Sequence, residues 1–300
     1  MDIRNIQTFI RAAELGSFTK VAEELQYVQS TVSMQIQQLE RELGYPLFDR
    51  IGKRVSLTAL GAEFLNYAYK ITQAMQEASS LNKNPEDICG TLRVGVLESL
   101  LFGKLLGLLP GFRNTYRQVS LQLKMGQTTE LLQMLKQNQL DMVYLSAGLN
   151  TDPDLRCHYK RREQLIFISS PEHPVAKEKK VSVNTLFNYD FVVTEHSGIC
   201  YGKLRELAAR YNVSLCSSVE VDSTVAIASL VQKNMALAFL PEYSVQKFLE
   251  DKSLVAVDVD IEPQIYYSQI LSHKRRWVSP LMEELIERIG LAYPEDGSVV

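Results

Sequence analysis

No stretch of the 300 residues approaches the roughly 18 consecutive apolar positions that a membrane helix needs, so a spanning segment is not expected. Cysteine is scarce. Cys89, Cys157, Cys200 and Cys216 are widely spaced and form no C-x-x-C pair, which argues against a disulfide framework and against a structural zinc site. The chain has no G-x-S-x-G, H-E-x-x-H, P-loop or G-x-G-x-x-G pattern, so the common hydrolase, metalloprotease and nucleotide-binding signatures are missing. An excess of one charge is missing too: 32 Lys and Arg stand against 35 Asp and Glu, for a net charge of -3. That balance excludes a protein coated for nonspecific nucleic-acid binding, but not one with a small, locally basic reading head. The start, Met1-Asp2-Ile3-Arg4, is neither a basic n-region nor an apolar h-region, so a cytoplasmic protein is expected. No cofactor or metal is implied.

What is present begins with helical periodicity. Ile3, Ile6, Phe9, Ile10 and Ala13 share one helical face, which Gly16 ends. Ser17 reads as the N-cap of a second short helix with Phe18, Val21, Ala22 and Leu25 on its inner face. A third helix begins near Ser30, buries Val32, Ile36, Leu39 and Leu43, and closes at Gly44. Two short helices joined tightly, the second polar on its outer face, make a helix-turn-helix. That outer face carries Gln29, Ser30, Thr31, Ser33, Met34, Gln35 and Gln38. Glutamine amides and hydroxyls bond base edges, and a methionine touches a thymine methyl. A polar helix face alone is more often simply solvated. The context adds weight: Leu47-Phe48-Asp49-Arg50 and Ile51 to Thr58 read as a two-stranded wing with Gly52 at its tip. Up to Thr58 seven basic residues balance seven acidic ones, yet Arg50, Lys53 and Arg54 crowd into the wing, within reach of phosphates or a minor groove.

These residues resemble a family. Phe18-x-x-Val21-Ala22-x-x-Leu25, then Gln29-Ser30-x-Val32-Ser33-x-Gln35-Ile36-x-x-Leu39-Glu40-x-x-Leu43-Gly44-x-x-Leu47-Phe48-x-Arg50, then Val55-x-Leu57-Thr58-x-x-Gly61 is similar to the signature of LysR-type transcriptional regulators. The resemblance implies that Gln29, Ser30, Thr31, Ser33, Met34 and Gln35 face double-stranded DNA, with Arg50, Lys53 and Arg54 on the backbone or minor groove. Val21 and Met34 depart from the family's commoner residues. RNA polymerase as a partner, and a dimer paired again into a homotetramer, are implied in the same way.

From Leu60 a helical pattern runs to about Lys83. Leu60, Phe64, Tyr67, Ile71, Ala74, Ala78 and Leu81 form an apolar heptad seam suited to pairing with a second copy, although packing on its own domain is the plainer alternative. The stretch from Asn82 to Asp87 contains Pro85 and reads as a hinge. From Thr91 strands alternate with helices in two similar sets, which predicts an α/β domain of two doubly wound subdomains with parallel strands. The boundaries expected are 1–58 for the winged helix-turn-helix, 59–88 for the linker helix and hinge, and 89–300 for a periplasmic-binding-protein-like effector domain. Within the last, 89–162 with 269–300 form one subdomain and 163–268 the other. This arrangement resembles the LysR-type effector domain, similar to periplasmic binding proteins, and the resemblance implies that the chain crosses between the subdomains near Arg156–Arg162 and Ile265–Leu271. Open α/β sheets bind ligands beyond the C-terminal ends of their strands. Ser99, Thr128, Thr129, Ser146, Ser197, Gly198, Cys200, Ser223 and Thr224 are therefore the candidates for a small-molecule effector, although Ser and Thr before helices are more often simple N-caps. Leu97 and Glu98 stand where the family it resembles commonly offers hydroxyls, which implies a partly apolar pocket in which Glu98 disfavours an anion.

Two rival readings rest on thiols. His196 and Cys200 lie four apart, a spacing open to a nucleophile and its base, but such spacing is common by chance. Cys200 and Cys216 both fall in the second subdomain, as they would in a redox-sensing regulator. Cys200 precedes a helix that would stabilise a thiolate, whereas a small buried cysteine is the commoner case.

Overall fold

The computed structural model describes residues 1–51, 54–80, 88–194 and 198–294, and for Arg50, Ile51, Arg54, Gln73, Gln76, Glu77, Ser79 and Ser80 the backbone alone. The expected wing tip Gly52 with Lys53, the end of the seam at Leu81, the 82–87 hinge and the loop residues His196 and Ser197 lie outside the described residues. The chain divides into two compact units, Met1–Gly90 with Lys136–Gln139, and Thr91–Leu135 with Leu140–Val300. No helix among the described residues is long and apolar enough to cross a membrane.

The first unit holds α1 (Ile3–Leu15), α2 (Phe18–Leu25), α3 (Gln29–Leu43), the hairpin β1 (Phe48–Ile51) and β2 (Arg54–Leu57), and α4 (Ala59–Ser80). Gly16 and Gly44 end α1 and α3 with φ of 58° and 83°, the left-handed conformation a glycine C-cap supplies. Ser17 caps α2 by accepting the Lys20 amide, as expected. Phe9 is fully buried at the centre of an aromatic cluster, 5.4 Å from the Phe48 ring and 5.2 Å from the Phe64 ring. Phe18 closes on Phe48 edge-on. One core thus joins three helices, the wing and the start of α4.

Packing divides the heptad seam of α4. Phe64 is buried and Ile71 half-buried in the unit's own core, together with Leu65, Ala68 and Tyr69, which the heptad count had left out. Leu60, Tyr67 and Ala74, spaced by sevens, stay exposed, as does Met75. The plainer reading therefore holds for Phe64 and Ile71.

The second unit contains β3 (Gly90–Val96), α5 (Glu98–Leu100) continued by a π-turn at Leu101–Leu105, α6 (Leu109–Thr115), β4 (Val119–Met125), α7 (Thr128–Lys136) and β5 (Met142–Ala147). The long strand β6 (Leu155–Ser169) leads into α8 (Val183–Leu186), β7 (Phe191–Val193), α9 (Ile199–Arg210), β8 (Ser217–Glu220), α10 (Thr224–Gln232), β9 (Ala238–Pro241), α11 (Glu242–Glu250) and β10 (Val255–Val257). Strand β11 (Gln264–His273) returns, and α12 (Pro280–Ala292) closes. The helix expected over Phe102–Tyr116 is broken between the π-turn and α6, with Pro110 near the start of α6.

The sheet is mixed rather than parallel. β3 and β5 pair in parallel, but β11 lies antiparallel between β5 and β6 in the order β10-β6-β11-β5-β3-β4. The reason is topological. The chain leaves the first half along β6 and comes back along β11, so the two crossings run in opposite senses. The expected crossing segments are these two strands, which carry the sheet through both halves; β9 and β10 attach to the far end of β6. The β6–β11 register shifts between Ile270 and Leu271, where His158 is the extra residue and its Nε2 meets Ser272 Oγ at 2.7 Å.

Candidate functional site: a helical reading face and a strand-end cleft

The outer side of α3 carries the residues that the sequence offered as a reading face. Gln29, Ser30 and Met34 are exposed, Met34 at 60%, while Thr31 and Ser33 are half-buried. Gln29 Nε2 donates to Ser33 Oγ at 3.0 Å along the face. The N-cap of α3 is Val28, which offers no side-chain acceptor, so no capping side chain stands between the start of α3 and a phosphate. Gln35 is placed differently from the rest. Its Oε1 accepts from Thr8 Oγ1 at 2.8 Å, and Thr8 is buried in α1, so this glutamine ties α1 to α3.

Beneath the wing lies a residue whose role the sequence did not announce. Glu40 Oε1 accepts the backbone N–H of Leu47 at 2.8 Å and of Phe48 at 3.2 Å, fixing the entry to β1. Thr58 Oγ1 donates to the Pro46 carbonyl at 2.9 Å and accepts from Gly61 N–H at 2.8 Å, joining the wing to the start of α4. The backbone places Arg50 in β1 and Arg54 in β2, paired with Val55 and Ile51 respectively.

In the second unit a cavity of about 510 Å³ opens at the C-terminal ends of the strands of both halves. Ser99, Thr128, Thr129, Ser146, Gly198, Cys200, Ser223 and Thr224 all line it. Topology brings them together from five separate strand ends, in the position where open α/β sheets hold ligands. They are not equivalent. Ser99 and Ser146 are buried, and both hydroxyls meet Tyr243 Oη, at 3.2 Å and 3.0 Å. Burial pushes the Tyr243 phenol up to about 12, so it stays neutral. Thr128 and Thr129 start α7, with Thr129 exposed.

Behind this floor is a buried ion pair that sequence reasoning missed. Lys104 and Glu163 are in contact, and Ser268 Oγ donates to Glu163 at 2.7 Å. The Lys104 ammonium also lies 4.8 Å from the ring centres of both Tyr243 and Tyr293. Residues 104, 163, 243 and 268 are too far apart in sequence for any local pattern to connect them.

Glu98 has a more specific placement than its sequence position suggested. Its carboxylate accepts from Ser223 Oγ at 2.7 Å, Thr224 N at 2.7 Å and Thr224 Oγ1 at 2.9 Å. The first half of the unit thereby holds the start of α10 in the second.

The two thiols of the second half sit in different surroundings. Cys200 is the second residue of α9 and buried, and desolvation pushes its thiol up to about 12. A helix start favours a thiolate by about 0.3–2 kcal/mol, and burial outweighs it here. Cys216 is exposed, immediately before β8.

Comparison with known proteins agrees with this geometry. Residues 3–62 match the model for the bacterial regulatory helix-turn-helix protein, lysR family, and residues 85–292 match the LysR substrate binding domain. The chain is 29% identical over 288 residues to an uncharacterized HTH-type transcriptional regulator, YwqM, of Bacillus subtilis, covering 96% of this chain and 98% of that one. It is 27% identical to the HTH-type transcriptional activator CmpR of Synechocystis, covering 95% and 93%. Among solved structures, a cysteine-to-aspartate variant of full-length OxyR from Pseudomonas aeruginosa superposes with a TM-score of 0.75 at 19% identity, over 98% of this chain and 96% of that one. Full-length CbnR complexed with its target DNA superposes with a TM-score of 0.66 at 18% identity, over 97% of this chain and 100% of that one. With a helix-turn-helix at one end and a strand-crossed α/β cleft over most of the remainder, each matched by its own family model, the chain belongs to the LysR family of DNA-binding transcriptional regulators with an effector-binding domain.

Proposed function

We propose that Gln29, Ser30, Thr31, Ser33 and Met34 read base edges in a major groove, while Arg50, Lys53 and Arg54 of the wing hold the phosphate backbone or probe the minor groove. Gln35 contributes by fixing the angle of α3 on α1. The effector occupies the cleft lined by Ser99, Thr128, Thr129, Ser146, Gly198, Cys200, Ser223 and Thr224, and Ser197 is assigned with them from the sequence alone. The convergence of these strand-end residues on one cavity of about 510 Å³ supports this most directly, because it is of the size small-molecule sites have. The exposed row Leu60, Tyr67 and Ala74 on α4 supports a homodimer, and a pair of dimers would place several heads on one operator. Effector binding would then shift cleft closure, alter how the heads lie on or bend the DNA, and change recruitment of RNA polymerase.

A salt series of gel shifts on the DNA upstream of the chain's own gene tests the reading assignments. Gln29→Ala should relax sequence selectivity at a cost of about 1–3 kcal/mol. Arg50→Ala should weaken all sequences alike and flatten the salt slope by about one unit. Equal binding of wild type and Gln29→Ala to every sequence would overturn the assignment.

A further inference from the structure

The hydrogen bonds at Glu98 carry a statement about what the cleft accepts. The start of α10 offers an amide end, two hydroxyls and the positive end of a nine-residue helix, a combination that ordinarily attracts an anion. Here those donors are already taken. Both oxygens of Glu98 are engaged, by Ser223 Oγ on one and by Thr224 N and Thr224 Oγ1 on the other, all within 2.9 Å. Glu98 and Ser223 are 125 residues apart in sequence, and both line the cavity. The other charged residues described on the lining are Glu130 and Asp222, and no Lys or Arg is among them. A free carboxylate entering this wall would find the Thr224 amide and both hydroxyls already engaged, the Ala226 amide held by Ser223 Oγ, and the Glu98 carboxylate in the way.

We propose that Glu98 sets the specificity of the cleft: it is a tethered carboxylate that fills the anion seat at α10, so the effector meets this wall as a hydrogen-bond donor rather than as a carboxylate. This rests on the cleft being the effector site. It adds that the wall is closed by the chain's own acid when no ligand is bound. A ligand that donates to the edge of Glu98 keeps the clamp and tightens it, whereas one that brings its own carboxylate has to displace Glu98 from three hydrogen bonds. The two ligand classes would move the halves of the unit in opposite directions.

Acetate, the side-chain group that Glu98→Ala removes, is the probe. Hydrogen exchange read by mass spectrometry on the full-length protein follows the amides at the start of α10. In wild type these should exchange slowly and ignore acetate. In Glu98→Ala they should exchange about tenfold faster, the scale of a lost charge-assisted hydrogen bond, and acetate should slow them again saturably. Glu98→Gln, which keeps an acceptor and the side-chain volume, should fall between the two and shows that the fold is retained. Equal acetate protection in wild type and Glu98→Ala, or unchanged exchange in Glu98→Ala, overturns the proposal. Operator binding of the same proteins separates this from the cleft reading. If acetate restores the amides of Glu98→Ala while DNA binding ignores both mutation and acetate, the clamp stands and the effector site lies elsewhere. If the amides do not respond but Thr128→Trp in the same cavity alters operator binding, the cleft reading stands and the clamp falls.

Discussion

At the entry to the wing, two backbone amides depend on one side chain. Removing the acceptor leaves the amides of Leu47 and Phe48 in a part-buried place without their partner, and an unsatisfied group of that kind costs about 1–3 kcal/mol. Glu40→Ala should therefore lower the urea midpoint of the first unit, followed by circular dichroism, and weaken DNA binding through the wing. Glu40→Gln retains an acceptor and should lose much less. Equal losses in the two variants would refute the role. Cys200 gives a second test. Its thiol, raised from an ordinary 9.0 to about 12, is protonated at neutral pH, so iodoacetamide should label exposed Cys216 and Cys157 well before Cys200. The sign for stability follows: burial of the neutral thiol contributes fully below about pH 9 and is lost as the pH rises toward 12. The polar outer face of α3 and the hydroxyls that line the cleft were legible in the sequence because both depend on local position, a helix start or a strand end. The attachments of Gln35 to Thr8 and of Glu98 to Thr224 were not, since they join residues 27 and 126 apart and leave no periodic trace.

Among the elements, α4 shows how one helix serves two neighbours. A Cβ at Gly61 would stand 2.0 Å from the Leu47 carbonyl oxygen, so the helix approaches the wing more closely than any side chain permits. Because the obstacle is backbone, Gly61→Ala should destabilise the first unit by at least the roughly 1–3 kcal/mol of an overpacked site. A thermal melt with no shift would contradict the close approach. The spacing of Gly61 within the family signature was visible in the sequence, but its reason was not, because the opposing atom belongs to the wing entry, well outside the helix. The heptad count likewise found the right helix and assigned Phe64 to the wrong partner. Periodicity reports that a face is apolar, not which surface covers it, and the aromatic cluster around Phe9 claims that ring.

For the molecule as a whole, the proposed dimer rests on the residues left exposed on α4. Tyr67 is 52% exposed in the midst of the Leu60–Ala74 row, so Tyr67→Glu should shift sedimentation toward the monomer while leaving the fold of each unit intact. A dimer unaffected by that charge would move the interface elsewhere. The alternation of strands and helices predicted an α/β unit with two halves, and that is what forms. It did not predict the mixed sheet, because pairing direction is set by the path of the whole chain, and β11 returns only after the entire second half has been traversed.

The crossing of two opposed strands has a mechanical meaning. Strands β6 and β11 are hydrogen-bonded along ten residue pairs, from Gln264–Leu165 to His273–Leu155, with a single bulge at His158. On the effector reading proposed above, closure of the cleft would have to bend this ladder, and His158, where the pairing is interrupted, is the place it should yield first. A ligand seated in the proposed site would then act on both halves through the one pair of strands that joins them.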